Sequence, residues 1–290
     1  AYRNFTGGDW FERRTSNEVK EKSSHLKLTL ILEVRRDYSI FAASHLKLMI
    51  TNRISTNLYV AEDPRFGNYN KDIVYRLLQQ VQIDFSNWIG NDVFHTSDCI
   101  ISYKDECPTI YDNGQIGHKI CLHVSGDDWW RWVYQFSHEY CHHLINGTMS
   151  GDISGMIWFE EAICDLSAIA HLKRLIVLCD VLRIDSLLSY KDYVILCLHA
   201  NLGSAQKNCR EYLRSNMATL EQPVYQREIY SNLSATILPF FEENNHLWKI
   251  ILHFGDMRKW DYLEDLFDHL LHTSDDSYSV SLRKLYNLLL

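Results

Sequence analysis

Proline and glycine are scarce in this sequence, 4 and 12 among 290 residues. So few chain breakers leave little room for linkers or disordered stretches, and the chain is expected to be compact throughout. No dense stripe of Lys or Arg occurs, and 29 basic against 37 acidic residues give a net charge of −8. The electrostatic footprint of a nucleic-acid binder is therefore missing. No apolar run reaches the ~20 residues of a membrane span. The best candidate, Ile163 to Leu182, is broken by Asp165, His171, Lys173, Arg174 and Asp180. The eight cysteines form no Cys-x-x-Cys pair and sit mostly in apolar runs such as LIVLC and VILCL. That argues for buried, reduced thiols and favours the cytoplasm. The chain begins with Ala1 and nothing after it resembles a secretion signal, so secretion after loss of a leader stays open.

What is present is a change of periodicity along the chain. In HLKLTLILEV, residues 25 to 34, Leu26, Leu28, Leu30, Leu32 and Val34 alternate with mostly polar neighbours, the mark of a strand with one buried face. SHLKL recurs at 44 to 48 and leads into MITNRI, predicting a second, similar strand. From Asn70, apolar residues recur at three- and four-residue steps up to Trp88, predicting an amphipathic helix stopped at Gly90. Two strands are expected at 98–103 and 118–126, separated by a polar loop with Pro108, Asn113 and Gly114. Helical patterns fill the remainder, first to about Asn146, then from Met156 to about Cys179, then in six shorter stretches.

The chemistry concentrates in SHEYCHHLING, residues 137 to 147. On a helix, His138 and His142 lie about 40° apart on one face, so both imidazoles reach a single ion. Glu139 sits on the flank of that pair, poorly placed as a ligand but well placed to hold and deprotonate a water molecule beside the ion. Eighteen residues after His142 comes WFEEAICD. Glu161 is the expected third ligand, and Asp165, one turn on, suits a hydrogen bond to the free ring N–H of a ligand histidine. Glu160 points roughly 100° away from that face and is not expected to bind the ion. His143 and the thiols of Cys141 and Cys164 also lie off the ligand faces, while Arg131 and Tyr134 are candidates for lining a cleft.

HEYCH, 18 residues and then Glu161 resembles the HExxH-x18-E pattern of the gluzincin zinc metallopeptidases, and WFEEA is similar to their WLNEG segment. EAICD is similar to the Glu-x-x-x-Asp stretch of the thermolysin-type members. The resemblance is firm over residues 118 to 180 and implies Zn²⁺ as cofactor and a peptide or protein as substrate. It also implies that HKICLHVSG is the edge strand above the cleft, with Ile120, Leu122 and Val124 lying along the substrate. YSNLSATILPFF from Tyr230 resembles the aminopeptidase helix whose tyrosine hydrogen-bonds the developing oxyanion, which points to Tyr230, with Tyr225 as runner-up. The aminopeptidase GxMEN segment is absent, and Asp105 and Glu106 are the nearby acidic residues left for reading an amino terminus.

The expectation is an α+β protein: a mixed β-sheet packed on the HExxH helix, followed by a mostly helical C-terminal lobe. Residues 1–67 would form a β-rich segment of the sheet, 68–180 the catalytic core and 181–290 the helical lobe. The expected function is zinc-dependent peptide hydrolysis with Glu139 as general base. Two alternatives stand beside it. One is a binding or regulatory protein on the same scaffold; the other is a hydrolase of a non-peptide amide, which would take Cys121 in place of Glu161.

Overall fold

The computed structural model describes residues 50–90, 97–112, 117–148, 156–222, 224–256, 262–274 and 276–290. The strand expected at 25–34 and the SHLKL segment at 44–48 lie outside them. The described residues form an α+β fold with one mixed sheet of five strands in the order β1-β2-β3-β5-β4. These are β1 (Ile50–Arg53), β2 (Leu58–Ala61), β3 (Cys99–Tyr103), β4 (Thr109–Asp112) and β5 (His118–Leu122). β2, β3 and β5 run parallel in the middle, while β1 and β4 pair antiparallel at the two edges. β3 opens on three consecutive apolar residues, and its first four residues, Ser102 included, are all buried, as suits a strand covered on both faces.

Two strands depart from the expected pattern. Leu58–Ala61 and Thr109–Asp112 are each four residues long, too short to display a period of two, and the second lies in what the sequence presents as a polar loop. β4 exists because its backbone pairs with β5 from Thr109↔Cys121 to Asp112↔His118. One consequence is a correction. The segment expected as the edge strand, His118–Leu122, has a neighbour on both sides, β3 and β4. Ile120 and Leu122 lie on that inner strand, Val124 lies just beyond its end, and all three side chains are buried. Among the described residues, the sheet edge next to them belongs to β4.

Helix α1 (Lys71–Ile89) starts where the Asn70 side chain accepts from the Ile73 N–H at 3.2 Å, and stops at Gly90, whose φ of 109° few other residues adopt. Then follow α2 (Trp129–Thr148), α3 (Ile157–Val181), α4 (Asp185–Asn201), α5 (Cys209–Leu220) and α6 (Arg227–Glu243). A 3-10 segment, Asn245–Asp256, precedes α7 (Leu263–Thr273) and α8 (Asp276–Leu289). α3 is apolar around most of its circumference, and it is central: α2, α4 and α6 all pack against it. The 3-10 segment buries Trp248, Ile250, Ile251 and Phe254 against α1 and α2. No helix among the described residues is long and apolar enough to cross a membrane.

His171 of α3 is buried against Phe85 and Trp88, and its Nδ1 lies 2.8 Å from the Ser167 carbonyl oxygen. Burial pushes its pKa down from 6.5 to about 4, the Ser167 carbonyl opposing and Arg174 assisting. A histidine held neutral in the fold takes up protons more readily once unfolded, so stability falls as pH drops from 6.5 towards about 4. The full loss is on the order of 3 kcal/mol. His171→Leu should remove most of this acid sensitivity, seen as a smaller drop in melting temperature between neutral and mildly acidic buffer.

Candidate metal centre

α2 and α3 are locked side by side before any ion is considered. The Gln135 side chain of α2 accepts from the His123 N–H at 2.9 Å and donates to the His123 carbonyl at 3.2 Å, pinning the helix to the chain just beyond β5. The Ser167 hydroxyl of α3 donates to the Ser137 carbonyl of α2 at 2.9 Å, and the Ser234 hydroxyl of α6 donates to the Ala162 carbonyl at 2.8 Å. Of these, the Ser167–Ser137 bond bridges α2 and α3 directly and fixes one point of their register.

The register so set brings His138, His142 and Glu161 together. Glu161 Oε2 lies 3.4 Å from Nε2 of His138 and 3.4 Å from Nε2 of His142, and all three donor atoms fall within 4.8 Å of one another. Four ligands at bonds of about 2.0–2.1 Å around a tetrahedral ion stand about 3.3 Å apart, so these spacings suit a shared metal. The other ring nitrogens point away from that centre. His138 Nδ1 donates to Asp165 at 3.1 Å and His142 Nδ1 donates to Glu160 at 2.6 Å, leaving both Nε2 atoms aimed at Glu161. The Asp165 carboxylate is held in turn by the Tyr225 hydroxyl, at 3.0 and 3.1 Å.

Glu160 is therefore not a bystander. It lies off the ligand face, but a different side chain meets it there: the outer ring nitrogen of His142. A helix pair places neighbours on both flanks of a seam, and a single-helix projection cannot show the partner's flank.

Electrostatics agree with the geometry. Burial alone would lower both imidazoles, but Asp165 and Glu161 lift His138 to about 10, and Glu161 and Glu160 lift His142 well above its ordinary value. For Glu161 burial works upward, and His142 and His138 overcome it to hold the carboxyl well below the usual carboxylate range. A divalent ion would replace two imidazole protons charge for charge, which is why metal binding and protonation compete at such sites. The donor set and the buried His142 Nε2 and Glu161 Oε2, neither with a hydrogen-bond partner, fit a metal ion. Glu139 Oε2 is buried without a partner too. Burial raises the Glu139 carboxyl, the two histidines pull it back and Glu161 adds to the rise, leaving it above the ordinary value.

The remaining candidates divide. Tyr230 is buried, with its ring 5.1 Å from that of Tyr225; burial raises its phenol, and the charges of Glu161 and Asp165 raise it further. Tyr134 is similarly raised, by burial and then by Asp165, whereas Arg131 pairs with Asp128 at 3.3 Å and lies over Trp130. His143 is buried rather than exposed, its Nδ1 2.7 Å from His118 Nδ1 of β5. Cys121 feels the charge of Glu139 but is not among the three converging donors. Cys141 and Cys164 are buried. Asp105 and Glu106 are surface residues paired with Arg65 and Lys104 at 3.2 and 3.5 Å.

Comparison with protein-family models, curated proteins and solved structures finds no match to this chain.

The donor assignment is tested by metal analysis. Glu161→Ala should abolish metal uptake at the His138–His142 site, Cys121→Ala should keep it, and Glu160→Gln should weaken it roughly 10- to 100-fold in a chelator competition.

Proposed function

We propose that this protein is a zinc-dependent peptidase. The observation that carries the reading is the convergence of His138, His142 and Glu161 on one point, with the Glu139 carboxylate buried beside them and one oxygen unpartnered. Three protein donors leave a fourth position open, as in catalytic rather than structural zinc sites. When bound, zinc supplies a Lewis acid that polarises a carbonyl and makes water acidic near neutral pH.

The chain's own residues supply the rest. Glu139 takes the proton of the attacking water and delivers it to the leaving amine, a task suited to a carboxyl that burial raises above its ordinary value. Asp165 and Glu160 keep each imidazole in one tautomer and one orientation. Tyr230 is the proposed donor to the developing oxyanion, because the Tyr225 hydroxyl proton is already engaged by Asp165. An extended peptide would add to the outer edge of β4, which no strand among the described residues covers; β4 touches α2 and flanks β5.

Glu139→Gln tests the reading, since it preserves shape and removes the base. Zinc content should equal that of the wild type, while cleavage of a broad peptide library falls by at least ~100-fold. A wild-type protein that holds zinc yet cleaves no peptide would favour a binding scaffold instead. Tyr230→Phe should lower kcat by about 100-fold with little change in zinc content or KM, as loss of one oxyanion donor does.

A further inference from the structure

A second group of metal donors meets where the 3-10 segment ends beside α7. Asp256 Oδ2 lies 3.0 Å from His253 Nδ1 and 3.3 Å from His269 Nε2. All three donor atoms fall within 4.8 Å of one another, and none belongs to the His138–His142–Glu161 group. The same oxygen faces both rings, at spacings close to the ~3.3 Å edge of a tetrahedral ion with ~2.0 Å bonds.

We propose that His253, Asp256 and His269 form a second, surface site for a divalent transition metal. Two imidazoles and one carboxylate suit Zn²⁺, Co²⁺, Ni²⁺ or Cu²⁺ and not Ca²⁺ or Mg²⁺, which prefer all-oxygen shells. The His253, Asp256 and His269 side chains are 29%, 50% and 44% exposed. An ion can therefore enter from solvent, with water completing its shell.

The ion would act as a clamp. His253 and Asp256 close the 3-10 segment that packs on α1 and α2, whereas His269 stands on α7, so coordination ties two consecutive elements together. Next to His253, Phe254 stacks on Phe159 of α3 at 5.9 Å, one residue from Glu160. The clamp thus holds the packing behind the first centre without contributing a ligand to it. An ion bound only by the folded chain stabilises the fold in proportion to its occupancy.

The test is zinc stoichiometry and thermal melting of the full chain. Wild type should take up two equivalents, and the His253→Ala/His269→Ala double variant one. Glu161→Ala should retain one equivalent, at the second site, so this proposal and the peptidase reading fail separately. The double variant should melt like the wild type when both are metal-free, and adding the same two substitutions to Glu161→Ala should remove the rise in melting temperature that excess Zn²⁺ gives Glu161→Ala alone. The proposal is overturned if wild type takes up a single equivalent that Glu161→Ala loses, since Asp256 would then merely hydrogen-bond the two rings. It is equally overturned if the second equivalent survives the double substitution.

Discussion

Four carboxylates and two imidazoles are packed into one seam between α2 and α3, with water largely excluded. Ionised groups removed from water cost several kcal/mol each unless partners compensate, and here the imidazoles and carboxylates of the same two helices partner one another, with the Tyr225 hydroxyl adding a bond to Asp165. That requirement disciplines the surrounding structure. The serine hydroxyl bonds between α2, α3 and α6, the Gln135 clasp on His123 and the apolar circumference of α3 all serve to keep the seam in one register. A slip of one residue on either helix would separate charged groups that compensate one another.

Within the seam the carboxylates have distinct surroundings. Asp165 and Glu160 accept from the outer ring nitrogens, Glu161 faces both inner nitrogens, and Glu139 keeps an oxygen without a partner. The consequence is a gradient of acidity inside a small volume: Glu161 is held strongly ionised while Glu139 is pushed towards taking up a proton. Separation of two like groups by environment is how one site can both hold a cation and move a proton. The sheet adds a different resource, because among the described residues β4 stands at the sheet edge beside the strand that leads into α2.

The helical layer on the other side of the seam is more than a lid. Trp248 stacks on Trp88 at 5.0 Å and meets Phe85 and Phe241, so α1, α6 and the 3-10 segment share one aromatic cluster. His171 of α3 is drawn into the same cluster and surrenders its basicity to it. The proposed surface clamp closes the far end of this layer, where exposure rather than burial governs how a metal would be held.

Much of this was legible from local pattern. His138, Glu139 and His142 lie within five residues, and the next helix begins at Ile157, so the period of 3.6 alone places His138 and His142 on one face and Glu161 with Asp165 on another. The α1 cap at Asn70 and stop at Gly90 are equally local. What only the tertiary structure decided is which flank of each helix meets its neighbour: Glu160 on His142, Tyr225 on Asp165, and His253, Asp256 and His269 at one point. The position of β4 outside β5 belongs to the same class, because a four-residue strand carries too few side chains to show a period and owes its existence to a partner's backbone. Helical faces follow from covalent geometry along the chain, whereas the meeting of faces and edges follows from packing between segments that sequence spacing does not encode.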